Sequence, residues 1–187
     1  MLARDVPWHR WLLFWSIALG GAAFDLVTKT LVFDRLALHS RHTLIDGILE
    51  LRPSQNTGAL WGFLAGVPHS SLMFALLSIV AAVAIWYYLF VRGAARDWGI
   101  TAALGLIMAG ALGNCVDRLA FGYVRDFVYF HVDAINFSCA IFNFADNMLI
   151  LGAVTLILLA LRPDESTTPG GETTPAVAAA EPDQVLS

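Results

Sequence analysis

The chain has 187 residues, of which 58% are hydrophobic and only 14% charged, and its mean hydropathy is +0.67. A soluble domain is about 25% charged, so this composition excludes an ordinary water-soluble fold and indicates an integral membrane protein. The formal net charge of -4 offers no basic face to a phosphate backbone, which argues against nucleic acid as a partner.

The length suits one compact bundle, and neither an internal repeat nor a second domain is visible. The first apolar stretch, Trp11 to Phe24, is uncharged and meets Asp25 and Lys29 before apolar character resumes at Leu31 to Phe33, so a span is expected over 11–33. It follows a basic, Trp-rich start and contains the small residues Gly21-Ala22-Ala23. It could pass for a secretory signal, but the further spans and the polar cluster after it favour a retained anchor. An outer segment over 36–63 follows, in which Thr43 to Leu51 bracket the Asp46-Gly47 pair with β-compatible residues, a hairpin signal.

Three more spans are expected, over 68–91, 98–116 and 142–161; the last is counted back ~20 residues from the Arg162-Pro163 stop. That count puts Asp146 about one helical turn inside the membrane boundary. The expected fold is therefore an all-α integral membrane protein, a four-transmembrane-helix bundle over 1–162 with a small extracytoplasmic β element. Pro163 to Ser187 holds four prolines and five acids without Lys or Arg, and reads as a disordered cytoplasmic tail.

Raw counts of Lys and Arg, five on one side (Arg4, Arg10, Arg92, Arg96, Arg162) and six on the other, do not orient the bundle. Charge density close to the span ends carries more weight, and the short Arg92 to Asp97 loop holds two arginines. Both termini and this loop are therefore expected in the cytoplasm, with the polar clusters at the outer face. Cys115 and Cys139 read as packing residues rather than thiol chemistry. The five histidines lack any zinc-type spacing, and no serine sits in a nucleophile motif, so neither a metal site nor a serine hydrolase is expected.

Asp126 and Asp146 carry the functional signal. An ionisable group near hydrocarbon costs roughly 3 kcal/mol, so a partner, a cavity or a reaction must offset it. Two carboxylates brought together in a low-dielectric site share a proton, so one can activate water while the other donates a hydrogen bond to a carbonyl. Each could instead be a helix cap or an ion-pair member, Asp126 with Arg118 or Arg125 for example.

Five polar blocks recur at the outer ends of the spans: Asp25 to Lys29, Asn56 to Gly62, Gly110 to Arg118, Val124-Arg125-Asp126-Phe127, and Phe142-Asn143-Phe144-Ala145-Asp146. In this order and spacing they resemble the lipoprotein signal peptidases (signal peptidase II), over about Gly20 to Leu161. The resemblance implies an aspartyl endopeptidase of the bacterial inner membrane that cuts diacylglyceryl-modified prolipoproteins on the amino side of the lipobox cysteine. It implies Asp126 and Asp146 as the catalytic acids, and neither a metal nor an organic cofactor.

Asp25, Lys29, Asn56, Gly58, Asn114, Arg118 and Asn143 are expected to bind substrate or support the site. The three amides suit an extended peptide or the orientation of the acids, and interhelical glue is their alternative role. Arg118 could bind a carboxylate, a lipid carbonyl or a phosphate, or pair with Asp117; Asp25 and Lys29, at i and i+4, suit a helical ion pair. Trp61, Tyr123, Phe127, Tyr129 and Phe130 suit an interfacial aromatic belt, in contact with membrane lipids. A monomer is expected.

Arg125 stands where the family more often has an apolar residue, Asn147 where a small hydroxyl residue is common, and Ala109 where a Gly is usual. A cation aimed at Asp126 would disturb proton sharing, so Arg125 is expected to point outward. A proton-coupled transporter is the alternative function, because intramembrane carboxylates and asparagines also describe a proton relay. The clustering of the blocks at one face, with none at mid-span, weighs against it.

Overall fold

The computed structural model describes residues 6–58, 64 and 66–162. Trp61 of the expected aromatic belt and the expected tail from Pro163 lie outside the described residues.

Helix α1, Trp8–Arg35, starts behind Pro7, whose ring presets the backbone for a helix start. Its buried residues Arg10, Phe14, Ala18, Ala22, Asp25 and Lys29 recur at three- and four-residue steps, one stripe that is apolar in the middle and charged at both ends. Strands β1 (His42–Ile45) and β2 (Leu49–Asn56) form the expected hairpin, with Gly47 at φ +69, where a side chain would strain the turn. Helix α2, Ser70–Trp86, runs into a π-helical turn at Tyr87–Val91. A short 3-10 turn, Ala94–Arg96, leads to α3, Trp98–Phe121.

Strand β3 (Val124–Val132), a 3-10 turn at Asp133–Ile135, strand β4 (Phe137–Ser138) and helix α4 (Phe144–Ala160) complete the described chain. The strands form one antiparallel sheet in the order β1-β2-β3-β4. The architecture is mostly helical, and α1, α2 with its π turn, and α3 are long and apolar enough to cross a membrane. Helix α4, at 17 residues, is shorter.

The small β element expected beside the helices is a four-stranded antiparallel sheet that takes in the hairpin. Strand β3 shows no clean alternation because its first four residues are all buried, and its partner β2 lies far upstream in sequence. Helix α3 also continues past the expected end at Val116 to Phe121, since the water boundary is not a helix stop. Gly122, at φ +79 with its N–H on the Arg118 carbonyl, ends the helix. Of the expected belt, Phe127 is buried and Tyr129 lies under the Arg52 guanidinium, 3.7 Å from ring centroid to Cζ.

Helix α3 is the hub, and small residues let its neighbours approach. A Cβ on Gly113 would meet the Asp25 carboxylate, and one on Gly110 would strike the Ala145 carbonyl. In hydrocarbon, helix association depends on such packing, because lipid tails are as apolar as leucine. At the opposite end Phe14, Leu89, Phe90 and Met108 form a packed cluster, with Trp11 stacked on Phe90 at 3.7 Å. Leu76, Leu77, Val80 and Val83 on α2, and Leu151, Ile157 and Leu158 on α4, are exposed along faces that suit lipid.

Candidate active site

Asp126 is the third residue of β3, opposite Ser54 of β2, and is 3% exposed. Two residues further on, Val128 exchanges hydrogen bonds with Phe142, at 2.8 Å and 3.0 Å, while the Phe127 N–H donates to the same Phe142 carbonyl. This bridge brings the start of α4 against β3. Asn143 caps α4 reciprocally: its Oδ1 accepts from the Asp146 N–H at 3.0 Å, and Asp146 Oδ2 accepts from the Asn143 N–H at 3.2 Å. Asp146, half-buried, is thus a capping residue as well as one of the two acids.

The amides tie the acids together. Asn143 Nδ2 donates to Asp126 Oδ1 at 2.6 Å and to Asn114 Oδ1 at 3.2 Å. Asn114 Nδ2 donates to Asp146 Oδ1 at 2.8 Å, and Asn56 Nδ2 donates to Asp126 Oδ2 at 3.0 Å. Lys29 Nζ donates to Asn114 Oδ1 at 2.9 Å. Because an ammonium has no acceptor, Lys29 and Asn143 together fix the Asn114 oxygen toward themselves and its NH2 toward Asp146.

Burial, and then the neighbouring Asp146 carboxylate, push the Asp126 carboxyl up to about 7, against the pull of the Asn56 and Asn143 hydrogen bonds. Near neutral pH this carboxyl holds a proton it can lend.

The other expected residues join the same network. Asp25 pairs with Lys29 at 2.7 Å, the expected i,i+4 ion pair, and also accepts from the Ala145 N–H at 2.8 Å, which fixes the first turn of α4. The Gly58 N–H donates to Asn56 Oδ1, and the Gly58 carbonyl accepts from Arg118 Nη2 at 3.0 Å. Arg118 also donates to the Asn114 carbonyl at 3.4 Å; Asp117, its alternative partner in sequence, bonds elsewhere. All nine expected residues are therefore brought together.

Asp117 and Arg125 were not foreseen as a pair. Arg125 neither points outward nor reaches its neighbour Asp126, since adjacent residues on a strand face opposite ways. It is 8% exposed and meets Asp117 at 2.8 Å. Charge balance was the available signal: Asp25, Lys29 and Asp117 in apolar surroundings call for a second cation.

From Asn114, Arg118 and Asp146 a cleft of about 330 Å³ runs between α2, α3 and α4, walled by apolar residues including Leu77, Ile107 and Leu149. A second, wholly apolar cleft of about 330 Å³ is lined by Leu31, Leu51, Phe127 and Phe144, the last two adjoining Asp126 and Asn143 in the chain. Cys115 is buried with its thiol toward the Ala75 carbonyl, and Cys139 is also free. Among the described residues no group of three or more His, Cys, Asp or Glu side chains converges as a metal centre requires.

Residues 17–162 match the family described as Signal peptidase (SPase) II. The lipoprotein signal peptidase of Lactiplantibacillus plantarum is 37% identical over 141 residues, which cover 75% of this chain and 88% of the relative. That of Bacillus subtilis (strain 168) is 36% identical over 149 residues, covering 79% and 92%. Among solved structures, a bacterial membrane enzyme determined by the in meso method superposes with a TM-score of 0.71 at 30% identity, covering 84% of this chain and 92% of that one.

Proposed function

Since this chain belongs to the signal peptidase II family, we propose that it is a membrane aspartyl endopeptidase that removes the signal peptide from diacylglyceryl-modified prolipoproteins, with Asp126 and Asp146 as its acid pair. One observation supports the assignment of the acids: Asn143 bonds both carboxylates, donating from Nδ2 to the buried Asp126 and from its backbone N–H to the half-buried Asp146.

In this reaction one carboxylate takes a proton from water as the oxygen attacks the scissile carbonyl. The protonated partner hydrogen-bonds the developing oxyanion. Collapse of the tetrahedral intermediate breaks the C–N bond, and the proton held by the pair goes to the leaving amine. The titration belongs to the pair rather than to either acid. The cleft that reaches Asp146 and the separate apolar cleft at Phe127 and Phe144 suit the two greasy parts of such a substrate, the signal helix and the acyl chains, with cleavage on the amino side of the lipid-bearing cysteine.

The peptidase unit is residues 1–162, acting as a monomer. Helices α1 to α4 each cross the bilayer, and α4, ~26 Å long, starts just inside the outer boundary at its cap. Four crossings leave both termini on one side, which the two arginines of the short loop between α2 and α3 favour as the cytoplasm, with the acids then near the outer face.

Incubation of the purified protein with a lipid-modified prolipoprotein is expected to release the signal peptide, seen as a mobility shift. Absence of the shift from a folded, membrane-inserted preparation would sink the assignment.

A further inference from the structure

Arg125 plays no part in the reaction described above, yet three of its groups are spent on one carboxylate. Asp117 is fully buried; its Oδ1 accepts from Arg125 Nε at 3.1 Å and Nη2 at 2.8 Å, and its Oδ2 accepts from the Arg125 backbone N–H at 2.9 Å. The remaining Arg125 Nη1 donates to Thr30 Oγ1 on α1 at 3.2 Å, and the guanidinium lies 4.7 Å from the Phe121 ring centroid on α3. Lys29, also fully buried, faces the same Asp117 Oδ2, but at 3.3 Å. Its shorter contacts are with Asp25 at 2.7 Å and with the Asn114 amide at 2.9 Å.

We propose that Arg125 is a positioning residue: by neutralising Asp117 it leaves Lys29 to hold the Asn114 amide that hydrogen-bonds Asp146. The proposal rests on Asp126 and Asp146 being the acid pair. Asp25 and Asp117 are balanced by Lys29 and Arg125, so the cluster behind the acids is neutral as a unit. Without Arg125, both carboxylates would compete for one ammonium. Lys29 would be drawn toward Asp117 and off Asn114 Oδ1, releasing the constraint that aims the Asn114 NH2 at Asp146. The charged groups around this point are Asp25 and Lys29 on α1, Asp117 and Arg118 on α3, Asp126 beside Arg125 on β3, and Asp146 on α4.

The test is cleavage kinetics of a lipid-modified prolipoprotein by the full chain in lipid, as a function of pH. Arg125→Val is expected to lower kcat ~10 to 100-fold, the range lost when partners behind a preorganised site are removed, with KM little changed. The basic limb of the profile is expected to move up, because the acids then lose their proton beside an unbalanced carboxylate. Adding Asp117→Asn to Arg125→Val removes that carboxylate and is expected to restore most of kcat and return the limb.

A purely structural role predicts instead that the double variant is at least as impaired as Arg125→Val. That result, or an Arg125→Val enzyme with wild-type kcat and profile, overturns the proposal. If Arg125→Val does not accumulate in the membrane, Arg125→Lys carries the test. It keeps the charge and loses the fork, so its basic limb is expected at the wild-type pH, and a limb moved up overturns the proposal. Asp126→Asn, assayed alongside, separates the two levels: if it is inactive while Arg125→Val is normal, only the role of Arg125 fails. If it cleaves, the acid pair fails and this proposal with it.

Discussion

Asn56→Ala removes a donor from Asp126 without touching either acid. The bond from Asn56 Nδ2 to Asp126 Oδ2 is 3.0 Å, and it holds the Asp126 carboxyl down against burial and the Asp146 charge, which leave it at about 7. A hydrogen bond to a charged group is worth about 1.5–3 kcal/mol. Asn56 is partly exposed, so water can replace part of the bond, and the low end applies: ~1.5 kcal/mol, or about one pH unit. Loss of a donor to a carboxylate raises its pKa, so the proton shared by the pair is kept to higher pH. The basic limb of kcat/KM, near pH 7 in the wild type by this account, is expected about one unit higher in Asn56→Ala. The assay is initial-rate cleavage of a lipid-modified prolipoprotein from acid to alkaline pH, each enzyme normalised to its own maximum. At alkaline pH the variant should retain the larger fraction. A limb that stays in place, or moves to lower pH, would refute both the polarity of this bond and the protonated role of Asp126.

Asp126→Asn and Asp146→Asn are each expected to abolish cleavage while leaving the protein folded, and more than a few per cent residual activity in either would remove the acid-pair assignment. Because the folded carboxyl of Asp126 titrates at about 7 rather than 3.8, it stabilises the fold at low pH and loses that contribution as pH rises from about 4 through about 7. Asp126→Asn should therefore resist thermal unfolding better than wild type at alkaline pH, by on the order of 4 kcal/mol at most, with the gain vanishing in acid. Asn114→Ala or Asn143→Ala should lower turnover ~10 to 100-fold, as measured by initial rates. Gly110→Ala places a methyl against the Ala145 carbonyl and Leu149, and is expected to separate α3 from α4, lowering both melting temperature and activity. Ending the chain after Pro163 should leave cleavage intact, because the family match stops at residue 162; a stable but inactive truncation would give the tail a role.

Composition and local pattern were enough to establish a membrane protein with one polar end, because hydrocarbon tolerates long apolar helices and penalises each isolated charge. The Asp-Gly hairpin and the Asn143 to Asp146 block were legible for the same local reason: turn and cap preferences act over a few residues. Order and spacing of the five blocks also disclosed the family. Strand β3 was not legible, since its pairing with β2 spans some seventy residues and burial of both faces erases the two-residue period. The partners of the charges were equally hidden. From the chain alone Arg125 sits beside Asp126, and Arg118 beside Asp117. The strand turns Arg125 away from Asp126 and onto Asp117, while α3 carries Arg118 to the Gly58 carbonyl. Which cation balances which acid depends on distances of a few ångströms between separate elements, and only the packing of α1, α3, α4 and the sheet sets those distances.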